Sequence, residues 1–261
     1  MNRHWVRELW NYRELFYFFV WRDIKVKYKQ SLLGMGWAII QPLFAMIIFS
    51  LFFGRLANVP SEGVPYPVFS YAGLLPWTYF SAAIALGANS LVSNTNMINK
   101  VYFPKLALPI SSVLSNLLDF FVAALLLLAL MLFYNVQLTW WLLIMPVLLF
   151  TLVLLATGVS LFLAALHVRY RDVKYVLPFL LQLWLFATPV IYPVSLVPEQ
   201  FRPLFALNPL AGIIDGFRSC VLSAKGFDLP LLGISLAATL IVFITGMVYF
   251  RRTERWFADI I

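Results

Sequence analysis

The sequence predicts an all-α membrane protein with six spanning helices. It adds an N-terminal amphipathic interface helix, a short cytoplasmic helix and a re-entrant helix pair near the outer face. Three observations carry this. Of the 261 residues, 62% are apolar and only 11% charged, whereas soluble domains sit nearer half apolar and a quarter charged. Uncharged stretches long enough to cross a bilayer recur along the chain. Lysine and arginine then fall mainly on one side of the resulting helices. Too few charges remain to cover a globule, which excludes a soluble enzyme. The wealth of aromatic and aliphatic residues excludes disorder.

A bilayer core of about 30 Å needs roughly 20 apolar helical residues. Between Lys29 and Arg55 lie 25 uncharged residues, and between Glu62 and Lys100 lie 37. A stretch of 47 from Phe120 to Leu166 exceeds one span, and the turn-prone residues 135–139 divide it. Between Lys174 and Glu199 come 24, and between Asp228 and Arg251 another 22. The expected spans are 36–56, 72–92, 106–134, 140–166, 175–192 and 231–250.

Orientation follows from the basic residues. With both termini cytoplasmic, segments 1–33, 93–105, 167–174 and 251–261 face inward and hold 15 of the 19 Lys and Arg. Only Arg55, Arg202, Arg218 and Lys225 face outward. The net charge of +8 is thus an orientation signal, and nucleic acid drops out as a partner.

The first 33 residues read as a surface helix, followed by a membrane domain over 34–261. Charges run through the first 30, and no apolar core leads to a small-residue cleavage site, so a signal peptide is not expected. On a helix, Tyr17, Trp21, Ile24 and Tyr28 share one face while Arg22, Lys25 and Lys29 share another. This suits the headgroup layer, with rings down and cations toward anionic lipid; a solvated basic tail is the alternative. Gly34 and Gly36 provide a flexible link to the first span.

Catalytic chemistry is missing. None of the 12 glycines is followed by lysine, which a phosphate-cradling Walker loop requires. Cys220 is the single cysteine, His4 and His167 are the two histidines, and neither histidine has a carboxylate cluster nearby, so no metal site is expected. A chain of this kind does not hydrolyse ATP itself. Energy for uphill transport must come from a partner or an ion gradient.

Asp119 is the one acid within a span, on a stripe with Ser111, Ser112, Ser115 and Asn116. Counting from Leu106 puts it near the bilayer middle, either touching a hydrophilic substrate or proton or joining helices by hydrogen bonds. Residues 94–104 read as a short cytoplasmic helix capped by Asn94 or Thr95 and stopped by Pro104. Met97 with Val101 and Ile98 with Tyr102 pair at four-residue spacing. That apolar face needs a partner protein, or else the bundle's own helices. Residues 198–222 face outward yet stay apolar. Asn208-Pro209 there opens a helix carrying Leu210, Ile213, Ile214 and Phe217 beside Asp215 and Arg218. Such a pair either closes a pore or forms a passive cap.

The order of these elements resembles the permease subunit of ATP-binding-cassette exporters for bacterial polysaccharides, the family of O-antigen, capsule and teichoic-acid export. Trp37 with Gln41-Pro42 is similar to that family's first span. Arg171-Asp172 through Pro178 to Thr188-Pro189 and Tyr192-Pro193 is similar to its fourth-to-fifth-span region. Leu207-Asn208-Pro209-Leu210 with Arg218 is similar to its outer gate. The resemblance implies a homodimer in the bacterial inner membrane with a pore between protomers. It implies two copies of a separate cytoplasmic ATPase, which binds ATP and magnesium while this chain binds no cofactor. It also implies a polymer linked to a polyprenyl diphosphate lipid as substrate.

On this resemblance, Asn94, Met97, Ile98, Lys100, Val101 and Tyr102 form a coupling helix, and Pro209, Phe217 and Arg218 belong to the outer gate. Arg22, Lys25 and Lys29 would attract the diphosphate headgroup. The first and fifth spans would line the path, making Trp37, Trp184, Phe186 and Tyr192 candidates beside Asp119. Flat rings suit sugar faces, but they also anchor helices at membrane interfaces. A drug or small-lipid exporter of the same fold, a secondary transporter and a membrane-embedded transferase are the competing readings.

Overall fold

A computed structural model describes residues 12–29, 31–137, 139–222 and 226–257. The ends of the two terminal inward segments, 1–11 with His4 and 258–261, lie outside the described residues, as does Lys225. The described residues form eleven α-helices and no strand. In chain order these are α1 (Arg13–Tyr28), α2 (Trp37–Phe49), α3 (Tyr66–Ser93), α4 (Thr95–Lys100), α5 (Ala107–Ser115) and α6 (Leu117–Phe133). There follow α7 (Met145–Arg169), α8 (Val173–Phe186), α9 (Arg202–Ala206), α10 (Pro209–Val221) and α11 (Leu229–Thr253).

Among the described residues, four helical stretches are long and apolar enough to cross a membrane: Gly34–Leu56, Ala107–Phe133, Trp140–Arg169 and Leu229–Trp256. They coincide with the first, third, fourth and sixth expected spans. The other two depart from expectation for separate reasons. The α3 helix begins at Tyr66, ahead of the expected 72, and has 28 residues, but Ser, Thr, Tyr, Asn and Gly dilute it. It is the central helix, packed by α2, α5, α6, α7 and α10. Sheltered from lipid, it has no need of a fully apolar surface. The α8 helix has only 14 residues and stops at Phe186, short of the expected 192. At 1.5 Å per residue it is about 21 Å long, less than the hydrocarbon layer.

Packing relies on close approach, because lipid tails give apolar helices no reason to associate. Gly158 in α7 lies against Gly246 in α11, so a Cβ on Gly246 would run into the Gly158 carbonyl. Gly87 in α3 faces Ser160 in α7, whose hydroxyl donates to the Ala83 carbonyl at 3.4 Å. Tyr71 and Tyr79 of α3 donate to the carbonyls of Ala123 (3.0 Å) and Val113 (3.3 Å). The main core joins Tyr71, Phe80, Phe120, Leu152 and Phe217. A second core, at the end of the bundle that carries α4, joins Phe19, Ile98, Phe103, Leu161, Phe250 and Phe257.

The α1 helix is packed and not a free tail. Ser112 donates to Asp23 at 3.2 Å, Lys27 donates to Asn116 at 3.1 Å and also to Asp119, and Tyr28 donates to Asp119. These pairs advance together, so α1 runs beside α5 and the start of α6 in the same direction. Lys25 and Lys29 on the same turns stay exposed. Asp119, which shows no basic partner in its own stretch of sequence, thus finds one on α1 in Lys27, with the Tyr28 hydroxyl beside it.

The surface of α1 is corrected as well. Tyr28 and Arg22 turn to protein partners, whereas Tyr17 and Trp21 remain exposed beside Lys25, whose Nζ lies 5.4 Å from the Trp21 ring centroid. Gly34 then adopts φ +51°, a left-handed turn suited to glycine, and leads into α2.

The Gly158–Gly246 crossing has an internal control. Gly246→Ala is expected to lower the melting temperature of the detergent-solubilised protein by several degrees, since overpacking costs about 1–3 kcal/mol. Gly233→Ala in the same helix, with open space around it, is expected to melt at or above the wild-type temperature. Equal melting of the Gly246→Ala and wild-type proteins would contradict the close crossing.

Candidate functional site

The α8 helix gives way to irregular chain over 187–193 before the pair α9–α10, which is bent by 104°. Free carbonyls in an apolar layer each cost several kcal/mol, so this segment needs donors. Asn208 Nδ2 donates to the Ala187 carbonyl at 3.3 Å and to Thr188 Oγ1 at 2.9 Å. Tyr66 Oη donates to the Ile191 carbonyl at 2.7 Å. Arg218 donates through Nη2 to Val190 (2.6 Å), through Nη1 to Tyr192 (3.0 Å) and through Nε to Phe69 (3.4 Å).

Arg218 is fully buried. Its guanidinium lies 3.8 Å from the Phe69 ring centroid, and Asp215 and Glu62 supply opposing charge. Guanidinium suits this place because its planar fork makes several fixed hydrogen bonds and stacks on rings. Gly73 leaves the room it needs, since a Cβ there would press on Arg218 Nη2 and the Val190 carbonyl.

The α10 helix is buried along its whole length. Asn208 caps it by accepting from the Leu210 amide at 3.2 Å, and Pro209 follows at the first position. The same Asn208 oxygen accepts from Trp184 Nε1 at 3.1 Å. Phe217 stacks edge-on against Phe120, with centroids 6.0 Å apart. Beside the pair, Trp184, Tyr192, Phe201, Phe205 and Asn208 line a cavity of about 500 Å³.

A second cavity of about 290 Å³ sits at the joint of α1 and α2, lined by Lys27, Tyr28, Trp37, Gln41, Thr78 and Asp119 among others. The structure thus brings Trp37 to Asp119 and Trp184 to Tyr192, at two different levels. Phe186 lines neither cavity and is 55% exposed. Tyr192 Oη donates to its carbonyl at 3.0 Å.

The helix expected over 94–104 spans only Thr95–Lys100. Val101 is extended, so the expected pairs of Met97 with Val101 and Ile98 with Tyr102 do not form one helical face. Ile98 is buried in the second core with Met97 packed beside it, whereas Tyr102 is 91% exposed. Asn94 does not cap this helix with its side chain. Its oxygen instead accepts from Arg22 Nη1 at 3.1 Å, while Lys100 is exposed.

Several residues in these arrangements carry no sequence signal for their role. Asp23 and Lys27 share a four-residue spacing with Ser112 and Asn116, but nothing in a single sequence says those helices are neighbours. Tyr66 and Gly73 read as ordinary helix residues. Asn208 is visible as a cap, not as the link between Trp184 and the broken segment.

Residues 14–222 match the model of the ABC-2 type transporter family. The chain is 31% identical over 256 residues to the O-antigen export system permease protein RfbA of Myxococcus xanthus, covering 96% of this chain and 97% of that one. It is 28% identical to a protein of the same name from Klebsiella pneumoniae, over 92% of each chain. It is 26% identical to the polysialic acid transport protein KpsM of Escherichia coli, over 89% of this chain and 91% of that one. A family match across most of the chain and similarity along nearly the full length of these permeases lead to one conclusion: the chain belongs to the ABC-2 type transporter family.

Proposed function

We propose that the chain is the membrane-spanning permease of a bacterial polysaccharide exporter, driven by ATP hydrolysis in a separate ATP-binding-cassette subunit. The observation that carries this reading is the near full-length similarity to permeases named for O-antigen export and polysialic acid transport. The ring-lined outer cavity fits a sugar polymer, because aromatic faces stack on sugar C–H surfaces while Asn208 and Tyr192 offer polar contacts. Two copies would pair around a path lined by α2 and α8. Both helices have faces free for this, since the first span is only 11% buried and α8 buries just Val173 and Leu177.

In this reading α3 and α8 complete six spans in the inner membrane, with both termini cytoplasmic. The polymer enters on a polyprenyl diphosphate lipid, drawn by the exposed Lys25 and Lys29 with Arg22 nearby. ATP and magnesium bind to the partner, which presses on residues 94–102. Contacts then run from Asn94 to Arg22, from Lys27 and Tyr28 to Asp119, and from Phe120 to Phe217. A push at the cytoplasmic end can therefore reach α10 and release the outer gate.

Two experiments test this in cells that export a polysaccharide through this permease. Trp184→Ala with Tyr192→Ala is expected to cut surface polysaccharide at least severalfold at unchanged permease levels, and full export would exclude those rings from the path. Lys25→Glu with Lys29→Glu is expected to reduce export while the protein stays folded. Intact export there would remove the headgroup role.

A further inference from the structure

A cavity of about 740 Å³ beside α4 is walled by two parts of the chain far apart in sequence. One wall is residues 98–106, and the other is Arg251, Glu254 and Arg255 beyond the apolar part of α11. Among the described residues, Lys100, Lys105, Arg251 and Arg255 line it together with the carboxylate of Glu254. Such a volume lies within the range of about 300–1,000 Å³ typical of recognition clefts.

The two walls form one body. Lys105 Nζ donates to the Glu254 carbonyl at 3.5 Å and lies 5.7 Å from the Phe257 ring centroid. Phe257 stacks edge-on against Phe250 at 5.3 Å, and both belong to the buried cluster that holds Ile98, Phe103 and Leu106. A load on residues 98–106 is therefore shared by the end of α11. Lys100 and Arg255 are exposed at the cavity, with Lys105 and Arg251 half-buried.

We infer that this cavity is a docking site for an acidic segment of the ATP-binding-cassette subunit, gripped jointly by residues 98–106 and the end of α11. The inference rests on the proposed function above, in which this end faces the ATPase. Charge decides the occupant's chemistry: four cations facing one acid favour carboxylates and repel basic segments. Position decides its source, because the cavity is walled by residues past Phe250, where the apolar run of α11 has ended. The last span thereby becomes a second input for force, and it packs on α7 and α10.

The test uses full-length permease co-expressed with its ATPase, purified as a complex in nanodiscs. Treatment with a carbodiimide, which joins amines to carboxylates in direct contact, is expected to link Lys100 or Lys105 to an Asp or Glu of the ATPase. Arg251→Glu with Arg255→Glu is expected to weaken ATPase retention about tenfold at low salt, with Arg251→Lys and Arg255→Lys restoring it. The thermal stability of the variant permease alone separates lost docking from misfolding.

A complex that forms and hydrolyses ATP normally with both arginines reversed, and without the cross-link, would overturn the inference while leaving the proposed function intact. A wild-type permease that binds no ATPase would overturn the proposed function itself. If charge reversal matters in nanodiscs containing phosphatidylglycerol but not in phosphatidylcholine alone, the cavity holds anionic headgroups and the inference fails.

Discussion

Chain that leaves a helix inside an apolar layer must find donors for its carbonyls, and the half of this protein around α10 is organised by that requirement. The carbonyls of residues 187, 190, 191 and 192 are met by Asn208, Arg218 and Tyr66. Each donor imposes a further condition. Arg218 must sit on α10, so α10 must be buried beside α3. Gly73 must lack a side chain for the guanidinium to fit. Asn208 must cap α10 while holding Trp184 and Ala187, which fixes the corner between the two spans. An unpaired cation in that position would be costly, yet three carbonyls, a ring face and nearby acids make it tolerable.

The other half is organised by charge. Asp119 meets Lys27 and Tyr28, and this pins α1 to α6. Arg22 ties the same helix to Asn94 at the start of α4. Helix α1 is thus a strut between α4 and the bundle. Its second attachment at Asp119 lies one residue from Phe120, which touches Phe217 of α10. The two arrangements are joined by a short path of packed side chains.

Much of this is legible in the sequence. Charge gaps locate the first, third, fourth and sixth spans because lipid-facing helices must be uncharged. Asn208-Pro209 announces α10, because capping chemistry is local. What sequence does not supply is anything decided by neighbours. The α3 helix is less apolar than a lipid-exposed span because other helices surround it. The α8 helix ends at Phe186, a stop that Thr188-Pro189 marks locally, but the path of residues 187–192 is not legible, since Arg218 and Tyr66 satisfy their carbonyls from far away in the chain. Asp119 shows no basic partner in its own stretch of sequence because Lys27 lies 92 residues earlier. Pro104 suggests a longer coupling helix than the one that forms, because the chain already turns extended at Val101.

Arg218 holds the broken segment in place through the Val190 and Tyr192 carbonyls. Hydrogen–deuterium exchange of the permease in lipid nanodiscs, comparing wild type with Arg218→Gln, measures this directly. The wild-type amides of residues 187, 188 and 190–192, the segment's positions that are not proline, are expected to be protected despite lying outside any helix. In the variant, faster exchange should be confined to that segment and α10, with α7 and α11 unchanged, because local opening spreads only through the elements that the guanidinium ties together. Equal protection of these amides in both proteins would contradict the account.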